Sequence, residues 1–346
     1  MFCGTIPPMR AVFFAVLVLL AAGALLYVWY VFGIAHIEPQ APPIVTNEGE
    51  RNGVAIETWQ QKAPMATRRT EVAAAAVDGK AYVVGGLNGF AQTLDTVEVY
   101  DPETDAWTQA TPLPVPLHHA MAAVFGGDLY VFGGFTNITF TPTSAAWKLD
   151  IKEGEWHTLG LLPEARAAGV AVVHGGFIYI VGGVTFQGVT AGAVRYDIAQ
   201  QKFEAIQPMT DAREHLAGAV AGDKIFVVGG RRGGLSGNRA TLEIYDTVKQ
   251  EWTIGPNMPT ARGGIAAAVY NGKLHVFGGE KTTGTFAQHE VFDPQRNRWE
   301  EALAMPTARH GLAAVTLGDG IFAIGGGKRP GLSVSAANEQ YRVLMP

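Results

Sequence analysis

Arg69, Arg166, Arg213, Arg262 and Arg309 share one register: each stands sixteen residues before a Gly-Gly doublet, where a sixth copy has Leu117. Arginine forks match carboxylates bidentately, so five of them at one mouth suit an acidic peptide, an anionic sugar or a protein surface; the alternative is that they hydrogen-bond carbonyls of adjacent copies. Within two residues of the same register stand His118, His119, His215 and His310. Imidazoles from alternate copies that meet on an axis are metal-ligand chemistry. Side chains that alternate along a strand would instead be sent into different interfaces. The second reading is adopted here, and no metal or other cofactor is expected. Glu71 and Glu214 lie on this rim too and have the chemistry of an acid or base beside an arginine. Nothing in their spacing demands that role, so no catalytic residue is assigned.

The elements that position these residues repeat. Gly85-Gly86, Gly133-Gly134, Gly182-Gly183, Gly229-Gly230, Gly278-Gly279 and Gly325-Gly326 recur every 47 to 49 residues, the mark of one supersecondary unit copied six times. Each doublet follows a short apolar run such as Ala81-Tyr82-Val83-Val84, itself preceded by an apolar run and a tight turn such as Asp78-Gly79. That is a hairpin. Tyr100, Leu149, Tyr196, Tyr245, Phe292 and Tyr341 follow the doublets, and Trp107, Trp156, Phe203, Trp252 and Trp299 come seven residues after the first five of these. The runs are nearly all apolar because both faces of each sheet are buried. With four antiparallel strands per copy, as the resemblance given below implies, the start of the first strand and the loop between the second and third fall on one face. Phe90, Phe135, Phe140, Phe186, Phe286, Arg231, Arg232, Lys328 and Arg329 lie in those loops. With the arginine and histidine register, Arg231, Phe135 and Phe186 complete the expected partner-binding set.

These motifs resemble the kelch repeat over residues 54–346, and the resemblance implies an all-β, six-bladed β-propeller with four-stranded blades. The sixth copy stops before its tryptophan, but Trp59 precedes Met65 as Trp107 precedes Leu113, both by six residues. Ile56 to Gln60 are therefore expected to close the last blade by pairing beside Tyr341, which leaves only short edges. Kelch propellers are interaction modules, so the resemblance implies a non-enzymatic role with a protein partner. The chain is also similar in blade count to the bacterial kelch mutarotases that act on sialic acid. That likeness implies a second reading, with the arginine mouth on a sugar carboxylate and Glu71, Glu214 or a histidine moving the proton.

Bulk composition narrows the field. A net charge of −5 without a basic stripe argues against nucleic-acid partners. Cys3 is the single cysteine, which excludes a disulfide framework. Residues 1–10 are followed by 11–35, an uncharged stretch of 25 residues that would span roughly 37 Å as a helix, enough for a bilayer core. It reads as a retained signal anchor and transmembrane helix, the alternative being a signal peptide cleaved near Ala21-Ala22-Gly23-Ala24. Arg10 precedes it, while Glu38, Glu48 and Glu50 follow, which puts the amino terminus in the cytoplasm and the propeller outside, periplasmic or extracellular. Residues 36–53, with Pro39, Pro42, Pro43, Gly49 and Gly53, read as a tether. The expectation is a membrane-anchored accessory subunit of a membrane assembly.

Overall fold

Each copy of the repeat folds as a four-stranded antiparallel sheet, and six such sheets surround an axis. The computed structural model describes residues 45–46 and 55–344. The apolar segment 11–35 and most of the expected tether lie outside the described residues. In blade 1 the strands run Ala73–Val77, Lys80–Val84, Val97–Asp101 and Ala106–Gln109 from the axis outward. Blades 2 to 5 repeat this order, and blade 3 adds a small hairpin, Val184–Thr185 with Gly188–Val189, in its second loop. Blade 6 takes its outer strand from the start of the propeller, with Ile56–Gln61 pairing against Asn338–Leu344 and Trp59 opposite Tyr341. The expected closure is therefore present. Val45–Thr46, within the expected tether, adds a fifth strand outside it, with Val45 opposite Trp59.

Strand composition follows radial position. Inner strands alternate: Ala73, Ala75 and Val77 are buried between blades, while Ala74 and Ala76 line an axial channel of about 420 Å³. Small side chains suit this place because six strands converge there. Farther out the blades spread, and the aromatic pairs fill the gap. Tyr100 lies opposite Trp107, Tyr196 opposite Phe203 and Tyr245 opposite Trp252. The indole N–H of Trp107 donates to the Ala63 carbonyl at 2.7 Å and that of Trp252 to the Gln207 carbonyl at 2.8 Å, each on the linker entering its blade. A partly buried indole thus satisfies its donor and fixes the linker at once.

Two hydrogen-bond circuits tie the blades together. The second glycine of each doublet donates its N–H to the carbonyl of the next blade's arginine-register residue, as in Gly134 to Arg166 at 2.9 Å and Gly326 to Arg69 at 2.9 Å. At the first glycine there is no room for a Cβ: at Gly229 it would meet the Arg262 carbonyl oxygen at 2.7 Å. The doublet is thus required by blade contact, and its positive φ values add to that requirement. The second circuit is closer to the axis. Glu71, His119, Ala168, His215, Gly264 and Gly311, one per blade, all have left-handed backbones with φ between 52° and 70°. Their backbone bonds run head to tail: Glu71 N–H to Gly311, His119 to Glu71, Ala168 to His119, His215 to Ala168, Gly264 to His215 and Gly311 to Gly264, at 2.7 to 3.0 Å. The ring closes across the junction of blades 6 and 1 at the loop-face end of the channel.

Left-handed backbone costs a non-glycine residue roughly 1–2 kcal/mol. Ala168→Gly is therefore expected to stabilise the propeller, by up to about 1 kcal/mol after the added chain entropy of glycine. Gly311→Ala is expected to destabilise it, since a new Cβ would meet Glu71 at 2.6 Å as well as carry the φ cost. Urea unfolding midpoints of the two variants check the opposite signs.

Candidate functional site

The structure places the five arginines inside the blades instead of at the mouth. Arg69, Arg213, Arg262 and Arg309 have no exposed surface and Arg166 only 3%. Each guanidinium reaches back along its own blade. Arg213 donates to the Gly229 carbonyl at 2.7 Å, to the Thr241 carbonyl at 2.9 Å and to Glu243 at 3.0 Å. Arg69 and Arg309 do the same with Gly85 and Glu98, and with Gly325 and Glu339. Arg262 pairs with Glu290 at 2.8 Å. The expected carboxylate-binding mouth is thus replaced by internal clamps that satisfy the carbonyls at the ends of strands. Burial pulls Arg262 down to about 10, against the opposing charge of Glu290.

Each of these glutamates also holds the linker entering its blade. Thr210 donates N–H and hydroxyl to Glu243 at 2.8 and 2.7 Å, and the Thr307 hydroxyl donates to Glu339 at 2.6 Å. Sequence reasoning missed these partners, although the signal is present: Glu98, Glu243, Glu290 and Glu339 each stand two residues before the recurring aromatic. Blades 2 and 3 depart from the pattern. Trp147 stands in that place beside Leu117, within one apolar cluster. Blade 3 has Val194 there, and Arg166 finds only the half-exposed Glu164 at 3.5 Å.

The histidines do converge, contrary to the expected dispersal. His119 and His215 project from the axial ring with Nε2 atoms 2.8 Å apart, and Glu71 Oε2 lies 3.0 Å from His119 Nε2. His215 Nδ1 faces the Glu214 carboxylate, while His118 Nδ1 lies 2.6 Å from His119 Nδ1. His310 Nδ1 lies 3.3 Å from Glu71 and 3.5 Å from Glu280. Arg231 joins Glu214 at 2.9 Å to Glu280 at 2.6 Å. Arg231 is thus a structural bridge, with only 8% of its surface exposed. Glu280 was missed by sequence reasoning. It directly follows the blade 5 doublet, where no other blade places a carboxylate.

The cluster's charge states follow from its packing. Burial and the charge of His119 push His118 down to about 4. Burial, reinforced by Arg231, holds His215 well below the usual imidazole range. Burial alone would raise Glu71, but His119, His310 and His215 outweigh it and hold the carboxyl well below its usual range. For His310, burial opposes the charge, and Glu71 with Glu280 more than restores it.

Around this cluster the loops present a different surface. Phe135 is buried against His118 and Phe140, so it supports the mouth from within. Phe186 is 68% exposed and Phe90 65%, with Phe140, Ile138 and Leu332 also exposed. These five side chains come from the loops of blades 6, 1, 2 and 3, which are consecutive around the axis. Arg232, Lys281, Lys328 and Arg329 are exposed in the loops of blades 4, 5 and 6. Phe286, placed in these loops by the sequence, is buried beneath Lys281, whose ammonium sits 5.1 Å from the ring centroid.

A family model described as the Attractin/LZTR1 beta-propeller matches residues 81–329. The chain is 29% identical over 260 residues to Kelch-like protein terF of Aspergillus terreus, covering 69% of this chain and 56% of that protein. It is 39% identical over 206 residues to Kelch-like protein 30 of Homo sapiens, covering 57% and 33% respectively. The chain thus spans about half or less of the length of these curated relatives. The solved structure of YjhT matches with a TM-score of 0.67 at 18% identity, over 80% of this chain and 95% of that one, a likeness of fold.

The clamp generates a stability prediction. Arg213→Leu strands a fully buried Glu243 and is expected to cost about 3–5 kcal/mol. Adding Glu243→Met removes the stranded charge and is expected to recover at least half of the loss. Denaturant unfolding of the single and double variants measures both values, and a double variant no better than the single would contradict the clamp.

Proposed function

The chain belongs to the kelch-type β-propellers of the Attractin/LZTR1 family, and from that membership we propose that it docks a protein partner on its loop face. One observation carries the reading. The exposed apolar side chains Phe90, Ile138, Phe140, Phe186 and Leu332 form an arc over four consecutive blades, beside the exposed cations Arg232, Lys281, Lys328 and Arg329. Water-facing aromatics grouped on one face mark interaction sites more often than chance exposure does. The partner chemistry that fits is a surface combining aliphatic or aromatic side chains with carboxylates. The cations supply steering and register, while the aromatic anchors supply most of the affinity.

We further propose that segment 11–35 holds the propeller at a membrane, on the side opposite the cytoplasm, as an accessory subunit of a larger assembly. Support comes from its 25 uncharged residues and from the placement of Arg10 before it and Glu38, Glu48 and Glu50 after it. The deeply packed arginine clamps leave the sugar reading without its carboxylate-binding element, and it is not adopted.

Gentle detergent extraction of the native protein, with size analysis and mass spectrometry, tests both proposals. Co-migration with a defined membrane partner is expected. Phe90→Ser combined with Phe186→Ser is expected to weaken that association by at least tenfold while the unfolding temperature stays unchanged. Leu161→Ser with Ile254→Ser, on outer strands, is expected to leave it intact. Equal effects from the two pairs would contradict a loop-face dock, and quantitative release of the chain by carbonate washing would contradict the anchor.

A further inference from the structure

We propose that Glu71, His119 and His215 hold one divalent transition-metal ion, zinc-like in its preferences, on the axis of the propeller. Hydrogen-bond polarity leads to it. The Asn137 carbonyl can only accept, so His118 Nε2, 2.9 Å away, carries its proton. Neutral His118 then has a bare Nδ1, and His119 Nδ1, 2.6 Å from it, must be the donor. When His119 carries a single proton, that proton is committed to Nδ1, and its Nε2 presents a lone pair. On the other side, His215 Nδ1 faces the Glu214 carboxylate, an acceptor only, so neutral His215 also has a bare Nε2. These two bare nitrogens stand 2.8 Å apart, with Glu71 Oε2 at 3.0 Å from the first. With both imidazoles neutral, three acceptors converge with no proton among them, and a cation satisfies all three in place of a proton on His119.

Charge and geometry agree. The cluster holds three carboxylates, Glu71, Glu214 and Glu280, against one guanidinium, Arg231, so two negative charges are uncompensated before any imidazole is charged. Two histidines and one glutamate form a known zinc donor set, with bonds of about 2.0–2.2 Å that put tetrahedral ligand atoms about 3.3 Å apart. An opening of a few tenths of an ångström admits the ion. Each imidazole already has its other nitrogen held, His215 by Glu214 and His119 by His118, and Arg231 holds Glu214 in turn. Such outer partners are what orient metal ligands. The three ligand positions are one ring position in blades 1, 2 and 4; the same position elsewhere is Ala168, Gly264 or Gly311, which leaves the axis clear. Side-chain exposures of 10% for Glu71, 5% for His119 and 8% for His215 leave a narrow approach from the loop face.

The full chain, stripped with a chelator, is titrated with Zn²⁺ alone and, separately, with Co²⁺ while visible absorption is followed. One ion per chain is expected, with the intense bands of a four-coordinate cobalt site. His119→Ala and His215→Ala, which copy what blade 3 already has at Ala168, are each expected to abolish the bands. Glu214→Gln is expected to weaken binding 10–100-fold. The exposed trio Glu153, Glu155 and His157 is a competing place for an ion, and His157→Ala is expected to change nothing. No uptake, which leaves an extra proton on His119 to fill the gap, overturns the proposal, as does uptake lost with His157→Ala and kept with His119→Ala. Should an alanine variant fail to fold, X-ray absorption on the zinc-loaded wild type decides. Two imidazoles around zinc support the axial site, and one imidazole, all that the exposed trio offers, overturns it.

Discussion

Closure of the six blades rests on the ring of backbone hydrogen bonds that passes through Glu71, His119, Ala168, His215, Gly264 and Gly311. A propeller has to bring its last blade against its first with no more error than any other junction has. The ring imposes that condition locally, since each member donates to one neighbour and accepts from the other. Its geometry demands left-handed backbone at every member. For Glu71, His119, Ala168 and His215 this means strain of roughly 1–2 kcal/mol each, comparable to what a buried hydrogen bond returns. The ring and the blades packed around it therefore hold one another, and the ring positions side chains on the axis as a consequence. The convergence of Glu71, His119 and His215 follows from that placement.

The arginine clamps perform the corresponding task along the radius. Arg69, Arg213, Arg262 and Arg309 each tie the entry of their blade to its second strand and to the third-strand glutamate, using a guanidinium with no exposed surface. The guanidinium forks are thus engaged inside the blades and are not presented at the mouth. What remains for a partner is the loop layer above it, where Phe90 and Phe186 stand largely exposed. Rigid clamps below and exposed loops above are a division of labour that lets loop residues change without loss of the fold.

The sequence was most legible where spacing alone decides. The doublets, the paired aromatics and the Trp59 closure are periodic, and the structure has them where periodicity puts them. Direction was harder to read. An arginine at the start of a strand has the same type and spacing whether it faces the mouth or folds back under it, and only the paired Glu98, Glu243, Glu290 and Glu339 betray the second choice. The histidines were sent apart by strand alternation, which fails at His119 and His215 because left-handed backbone precedes the strand and resets which way the side chain points. Glu280 was illegible because it belongs to a single blade, and a single occurrence has no period.

Native-state hydrogen exchange at the six ring amides tests the dependence of the fold on this circuit most directly. Glu71, His119, Ala168, His215, Gly264 and Gly311 lie at strand starts near the loop face, where local fraying would ordinarily make exchange fast. If the ring closes the propeller, all six exchange only on global unfolding, with the same opening free energy as inner-strand amides such as Ala75. Faster exchange at the blade 6 to blade 1 junction, with Glu71 and Gly311 opening separately from the rest, would contradict it.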